Sequence, residues 1–341
     1  MAERVYLAAN NPDLGGGEEM MVRTAAALVS LGRPVTVVAP DAPTDVLDAA
    51  AAVGADVVAI RADGRREYLP RLRAWDRTRG DGPLWCHGLV PAFATTGHRR
   101  RIVHLHQLPR SRAQWAALAA ARIGADHVLA PSSFLTSRIR GARVCANWTE
   151  QVERRQRPDG LRRVGFMGRL ATDKGVDLVA RAMTSAVLPS DLELVVAGDD
   201  RWVPDEQRLP VAESLEAIGD RVRRLGRVTP ADFFAQADIA VFPSRAPESF
   251  GLVVAEAMGA GMPFVISDAG ALPEVAGPEH PWVARSGDAD DLARAIGEAL
   301  ATPADDVRAV TDRARARWEE MYSPEAGRER VRTLLAELGT R

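Results

Sequence analysis

Short apolar runs recur along this chain, each followed by a stretch with helical spacing, and the series stops and begins again near residue 162. Strand candidates occupy 4–10, 34–40, 55–60, 83–88, 101–106 and 126–131, then 162–168, 192–198, 222–228, 237–243, 262–267 and 281–285. Strands alternating with helices imply a parallel sheet covered on both faces. The restart implies two such sheets, because 341 residues exceed what one hydrophobic core usually serves. The expected fold class is α/β, with two Rossmann-like, doubly wound domains facing across a cleft. The first domain is expected over 1–150 and the second over 161–310. The polar stretch EQVERRQRPDG (150–160) reads as their linker, and helices over 311–341 are expected to pack back toward the first domain.

Several function classes drop out early. No apolar stretch approaches the length of a membrane span, and the N-terminus MAERVYLAANN lacks the regions of a signal peptide. Cys86 and Cys145 have neither metal spacing nor a disulfide framework around them, so a reduced, cytoplasmic protein is expected. Nucleic-acid binding lacks both a motif and the overall charge, which is −2. That charge is unevenly divided: residues 1–160 hold 22 Lys and Arg against 16 Asp and Glu, and the remainder 22 against 30. Only one of the 44 basic residues, Lys174, is not arginine.

Chemistry-bearing residues gather in the strand-to-helix turns, beyond whose strands ligands bind in such sheets. The turn NNPDLGGGEE holds Gly15, Gly16 and Gly17 where a helix N-terminus could meet an anion. It is not a dinucleotide fingerprint, and no acidic residue stands in the ribose-binding position of the second strand. GFMGRLATDKGVD puts Arg169 and Lys174 in a loop at a strand end, a cation pair suited to a diphosphate. ESFGLVVAE frames an apolar run with Glu248 and Glu256. With Ser249 as a cap and a helix from about Phe250, the N–H groups of Phe250, Gly251 and Leu252 would form an anion site. The two carboxylates would then grip the sugars on either side of a diphosphate.

These segments, with LVVAGDD, RLGRVTPADFFAQADIAVFPS and MGAGMPFVISDAGALPEV, resemble the retaining glycosyltransferases of family 4, which have the two-domain GT-B fold. The resemblance implies a nucleotide-diphosphate sugar as donor, a hydroxyl-bearing acceptor, and metal-independent transfer with retention. It assigns Glu248 to the donor sugar, Glu256 to the nucleotide ribose and Arg169 with Lys174 to the phosphates. Gly16, Gly17, Gly198, Val228, Ser249, Phe250, Gly251 and Leu252 complete the donor-binding set. His106, closing the strand candidate RIVHLH, matches a family histidine at the acceptor–donor junction and joins Glu248 as a catalytic candidate; His87 in WCHGLV is a possible cleft-lining residue. His104 points the same way as His106 along the strand. No metal ligand set is expected. The sequence departs from the family pattern at Ala269–Ala271, where Gly-Gly is usual, at Asp200 and at Asn147–Trp148.

Uridine is the expected base, on family frequency. Front-face transfer is preferred, with the leaving phosphate helping to deprotonate the acceptor. The composition points to an actinobacterium, and the chain looks like enzymes that decorate natural products such as oligosaccharide antibiotics of the avilamycin type. A GT-B-fold sugar-nucleotide epimerase and a non-catalytic sugar-nucleotide-binding subunit are the alternatives. The stretch 61–80 carries seven arginines with Tyr68, Leu72 and Trp75 at helical spacing: a solvated helix packed by its aromatic stripe, or a patch contacting acceptor or a membrane surface.

Overall fold

The structure is a computed structural model that describes residues 2–153 and 162–339. Most of the expected linker, from 154 onward, lies outside the described residues. In chain order the first strands and helices are β1 (Val5–Ala8), α1 (Gly16–Ser30), β2 (Val35–Pro40), α2 (Asp45–Ala52), β3 (Asp56–Ile60), α3 (Arg65–Asp76), β4 (Leu84–His87), α4 (Leu89–Ala94), β5 (Arg101–His104), α5 (Arg112–Ala121), β6 (Ala125–Ala130), α6 (Ser133–Thr136) and β7 (Arg143–Val144). Next come β8 (Arg163–Met167), α7 (Val176–Ala182), β9 (Glu193–Ala197), α8 (Asp205–Ala217), β10 (Val222–Gly226), α9 (Pro230–Phe234), β11 (Ile239–Phe242), α10 (Leu252–Ala260), β12 (Phe264–Ser267), α11 (Leu272–Ala276), β13 (Val283–Ala284), α12 (Ala289–Ala301), α13 (Ala304–Met321) and α14 (Pro324–Gly339).

The chain divides into two compact units, one of residues 1–147 with 324–341 and one of 148–323. The final two helices therefore part company: α13 belongs to the second unit and α14 to the first. The grouping of 311–341 as one piece is corrected accordingly. The break falls at Tyr322-Ser323-Pro324, where proline can start a helix but not continue one. α14 lies against α1, and the Arg143–Glu337 pair ties it to the edge strand β7.

Each unit is built on one sheet whose strands all run parallel. The first has the order β3-β2-β1-β4-β5-β6-β7 and the second β10-β9-β8-β11-β12-β13. Strand order reverses beside β1 in the first sheet and beside β8 in the second. At such a switch point neighbouring loops leave toward opposite faces and open a crevice beyond the strand ends. The interior strands are mostly apolar, as burial on both faces favours: Leu84, Trp85 and Cys86 of β4, and Ile239, Ala240 and Val241 of β11, are buried. On α3, Tyr68 and Leu72 are buried and Trp75 packs beside them, which leaves its arginines toward the surface.

One buried charge organises the first unit. Arg101 opens β5 with no solvent exposure, and its guanidinium donates to the carbonyls of His98, Ala92, Ala121 and Ile123 and to Thr95 Oγ1, at 2.7–3.0 Å. These acceptors include carbonyls near the C-terminal ends of α4 and α5, where helices leave oxygens without internal partners. A planar fork of five N–H donors satisfies them together. Arg101→Met should orphan these oxygens and cost about 3–5 kcal/mol, the range seen when a buried polar network loses one member. Urea denaturation would measure it, and a loss below about 1 kcal/mol would refute this role for Arg101.

Candidate active site

In the second unit the loop after β8 and the loop after β11 meet at the switch point. Lys174 Nζ donates to Glu248 Oε1 at 2.7 Å, and Ser244 Oγ donates to the same oxygen at 2.5 Å. The two charges are partly buried. Glu248 Oε2 takes no protein donor among the described residues, so one face of the carboxylate is held and the other is open to a ligand. Arg169 does not stand beside Lys174 as a free cation; it pairs with Asp173 at 2.8 Å. Arg245, which the motif analysis passed over, forms a bidentate pair with Asp177 at 2.6 Å and donates to the Thr172 carbonyl. It ties the β11 loop to α7, the helix that follows Lys174.

Two glycines let these loops touch. Gly175 has φ +76°, and a Cβ there would lie 2.1 Å from the Pro243 carbonyl oxygen. Gly270 has φ +65°, and its Cβ would meet Glu248 backbone at 2.4 Å. The Ala271 N–H donates to the Glu248 carbonyl at 2.9 Å, so the main chain of Glu248 is held by the loop before α11. Alanine is tolerated at 269 and 271 because neither makes this crossing; glycine is kept at the position that does.

The helix framed by the two glutamates begins later than its sequence suggests. α10 starts at Leu252 with Gly251 as N-cap at φ +99°, and no side chain caps it. Phe250 is buried and packs edge-on against Tyr322, with ring centroids 5.3 Å apart, which draws it out of the helix. Ser249 is therefore not the N-cap. The N–H groups of Gly251, Leu252 and Val253 find no acceptor among the described residues, whereas Val254 already bonds back to Gly251. The set of unpaired N–H groups is therefore moved along by one residue from the expected Phe250, Gly251 and Leu252. Glu256 is buried about one turn into α10. Gly198 serves packing: its Cβ would fall 1.9 Å from the Gly168 carbonyl oxygen, and its N–H bonds to Gly226. Val228, expected to close the strand over 222–228, lies half-buried in the loop between β10 and α9 because β10 ends at Gly226.

In the first unit, α1 begins within the glycine run, at Gly16, with Gly15 as N-cap. Strand β5 stops at His104, so His106 lies just past it; a Cβ on Gly17 would come within 3.1 Å of the His106 ring. Gly16, Gly17, His87 and His106 are thus gathered at one end of the first sheet. His87 Nδ1 and His106 Nε2 are 3.0 Å apart, and Trp85 Nε1 donates to His104 Nδ1 at 3.3 Å. Burial lowers the pKa of all three histidines: His87 and His104 fall well below the usual value, and His106 to about 4. Glu18 was missed by the sequence reading. It is buried in the first turn of α1, accepts from the backbone and side-chain amides of Asn11, and has its pKa pushed up to about 6 by desolvation. The available signal was an acid directly behind three glycines.

Ring nitrogens of His87, His104 and His106 lie within 4.8 Å of one another, the only such cluster of possible metal ligands among the described residues. The hydrogen bonds fix how protons are shared among the neutral rings. The indole N–H can only donate, so His104 Nδ1 is a lone pair and its Nε2 carries the proton. His87 and His106 share one proton across their hydrogen bond. Of the three ring nitrogens left over, two carry hydrogen and one a lone pair.

Residues 162–302 match the family described as Glycosyl transferases group 1. The MMP alpha-(1->4)-mannosyltransferase of Mycolicibacterium hassiacum is 40% identical over 152 residues, covering 44% of this chain and 36% of that one. A GDP-mannose-dependent alpha-mannosyltransferase of Mycobacterium tuberculosis is 27% identical over 310 residues, 76% of this chain and 77% of that one. The matches span less than half the length of several curated relatives, at 34–44%. Among solved structures, Anabaena HepE in complex with UDP-glucose superposes with a TM-score of 0.81 at 18% identity, covering 98% of this chain and all of that one. Sucrose-phosphate synthase from Thermosynechococcus elongatus gives 0.82 at 20% identity, over 99% of each chain. The fold is GT-B, and the segment that carries Lys174, Glu248 and Glu256 matches the family of group 1 glycosyl transferases.

Proposed function

We propose that the chain is a retaining glycosyltransferase that moves a sugar from a nucleotide-diphosphate donor to an acceptor hydroxyl without a metal ion. The observation that carries this reading is Glu248. Within the segment that matches the family, it is clamped through one oxygen by Lys174 and Ser244, and its other oxygen takes no protein donor among the described residues, three residues before the N-cap of α10. A diphosphate would sit on the N–H groups of Gly251, Leu252 and Val253, where the helix dipole favours negative charge. Lys174 has three N–H donors and can reach a phosphate oxygen while keeping Glu248. The open oxygen of Glu248 would accept from a sugar hydroxyl, and Glu256 from the ribose.

In the transfer itself the bond from sugar C1 to the phosphate oxygen breaks and a bond from C1 to the acceptor oxygen forms on the same face. The acceptor proton passes to the departing phosphate. Negative charge grows on the leaving group, and Lys174 with the α10 N–H groups supplies preorganised stabilisation for it. His106 takes part as an uncharged hydrogen-bonding partner of a substrate hydroxyl. For the base, the uridine expected from the family stands beside the GDP-mannose in the names of two mannosyltransferases similar to this chain. A natural-product acceptor rests on composition alone.

Glu248→Gln keeps the side-chain shape and removes the charge. Transfer from UDP-glucose or GDP-mannose should fall at least about 100-fold, the usual effect of losing one preorganised contact to the reacting sugar. Binding of the matching nucleoside diphosphate should change by less than about threefold. Undiminished turnover would remove Glu248 from the chemistry, and donor consumption without glycosylated product would favour epimerase or hydrolase action.

The uncharged histidines also set a pH dependence. An unfolded histidine titrates at 6.5, whereas folded His106 titrates at about 4. Between those values the unfolded chain binds a proton that the folded chain refuses, so stability falls with acidification. From pH 8 to pH 5 His106 alone should cost about 2 kcal/mol. His87, His104 and His280 act in the same direction. Glu18 opposes them, because its raised pKa makes the folded state the better proton acceptor, and returns about 1 kcal/mol. Urea midpoints should therefore drop steadily from pH 8 to 5; a flat profile would contradict neutral burial of the histidines.

A further inference from the structure

The histidines at the ends of β4 and β5 form a connected arrangement in which each ring is specified by another group. The parallel register sets His87 beside His104. The His87 and His106 ring planes are 14° apart with centroids separated by 5.2 Å, and the His104 and His106 centroids lie 4.4 Å apart. His87 is fully enclosed, at 1% exposure, and its Nδ1 meets His106 Nε2. His106 Nδ1, His87 Nε2 and His104 Nε2 are buried without a hydrogen-bond partner. A buried ring nitrogen left unpaired costs free energy, and such an orphan needs an explanation in strain, catalysis or an absent ligand.

We propose that His87 is a positioning residue for His106: the Nδ1–Nε2 hydrogen bond fixes the His106 ring and leaves Nδ1 as its one nitrogen available to a substrate. This rests on the reading of His106 as a substrate-contacting residue. Because the pair shares one proton, the two rings have linked tautomers. When His106 Nε2 donates to His87, His106 Nδ1 is an acceptor and His87 Nε2 carries hydrogen. When His87 Nδ1 donates, His106 Nδ1 becomes a donor and His87 Nε2 a lone pair. His87 thereby decides whether His106 offers a substrate hydroxyl a lone pair or an N–H. The absent side chain at Gly17 leaves room for the His106 ring, which a Cβ there would approach to 3.1 Å. His104 is held apart from this exchange by Trp85, which fixes its tautomer.

The test reads the hydrogen bond and the chemistry separately. In protein labelled with 15N-histidine, a scalar coupling between His87 Nδ1 and His106 Nε2 is expected at pH 8, together with an Nε2-protonated His104. Absence of that coupling, or averaged ring shifts for His106, would overturn the proposal. In His87→Leu the His106 ring shifts should move while those of His98 and His280 stay. Turnover should fall about 10–100-fold with KM for the nucleotide sugar within about threefold, a loss of the size attributed to misplaced catalytic groups. His87→Asn, whose amide can stand where the ring Nδ1 stands, should recover most of that loss. If His87→Leu leaves both the His106 shifts and turnover unchanged, His87 positions nothing. If His106→Ala keeps full turnover, the reading of His106 as a substrate contact fails, while the coupling still decides whether the two rings are joined.

Discussion

The second unit depends on main chain crossing main chain beyond the strand ends. At Gly175 the turn after β8 presses on the Pro243 carbonyl, and at Gly270 the turn before α11 presses on Glu248. Both residues have positive φ, and any side chain would collide with backbone that cannot swing aside. These contacts join three separate strand-to-helix loops into one surface. Glu248 is held at its main chain by Ala271 and at its carboxylate by Lys174 and Ser244. A site on rigid, mutually braced loops keeps its geometry before a ligand arrives, and that preorganisation is what electrostatic catalysis requires.

The charges are arranged in pairs in the ligand-free chain. Lys174 is matched by Glu248, Arg169 by Asp173 and Arg245 by Asp177. Pairing limits the desolvation cost of gathering cations in a partly buried crevice. It also means that the proposed diphosphate would meet oriented donors and unpaired helix N–H groups rather than a bare cluster of positive charge. The first unit uses the opposite device. At one end of its sheet stand histidines that burial keeps neutral and a carboxyl, Glu18, whose pKa burial raises to about 6. One unit thus offers paired charge and the other hydrogen-bonding rings that burial holds uncharged.

The strand–helix alternation and its restart were readable because short continuous apolar runs and Gly-rich turns are local signals. The glutamate pair and Lys174 were readable for the same reason. What escaped depended on contacts between residues far apart in sequence. The start of α10 moved because Phe250 packs on Tyr322, a partner that no local window includes. The split between α13 and α14 is set by where each helix finds apolar neighbours. Arg101 looks like one more arginine in an arginine-rich chain, yet it closes the carbonyl ends of two helices. His87 looked peripheral until the register of β4 and β5 set it against His104 and His106. Glu18 resembled an ordinary first-turn acid, and only its burial among Asn11 and the glycine turn distinguishes it.

The central claim is that Lys174, Glu248 and the N-terminal end of α10 form a metal-free site for a nucleoside diphosphate. It is tested most directly by thermal unfolding with UDP, GDP, ADP and dTDP, each with and without EDTA. A ligand at 100 times its dissociation constant stabilises a fold by about 2.7 kcal/mol, which a melting midpoint resolves readily. The account predicts that one of the four raises the midpoint, equally with and without EDTA. Loss of that shift on adding EDTA, or no shift with any of the four, would contradict it.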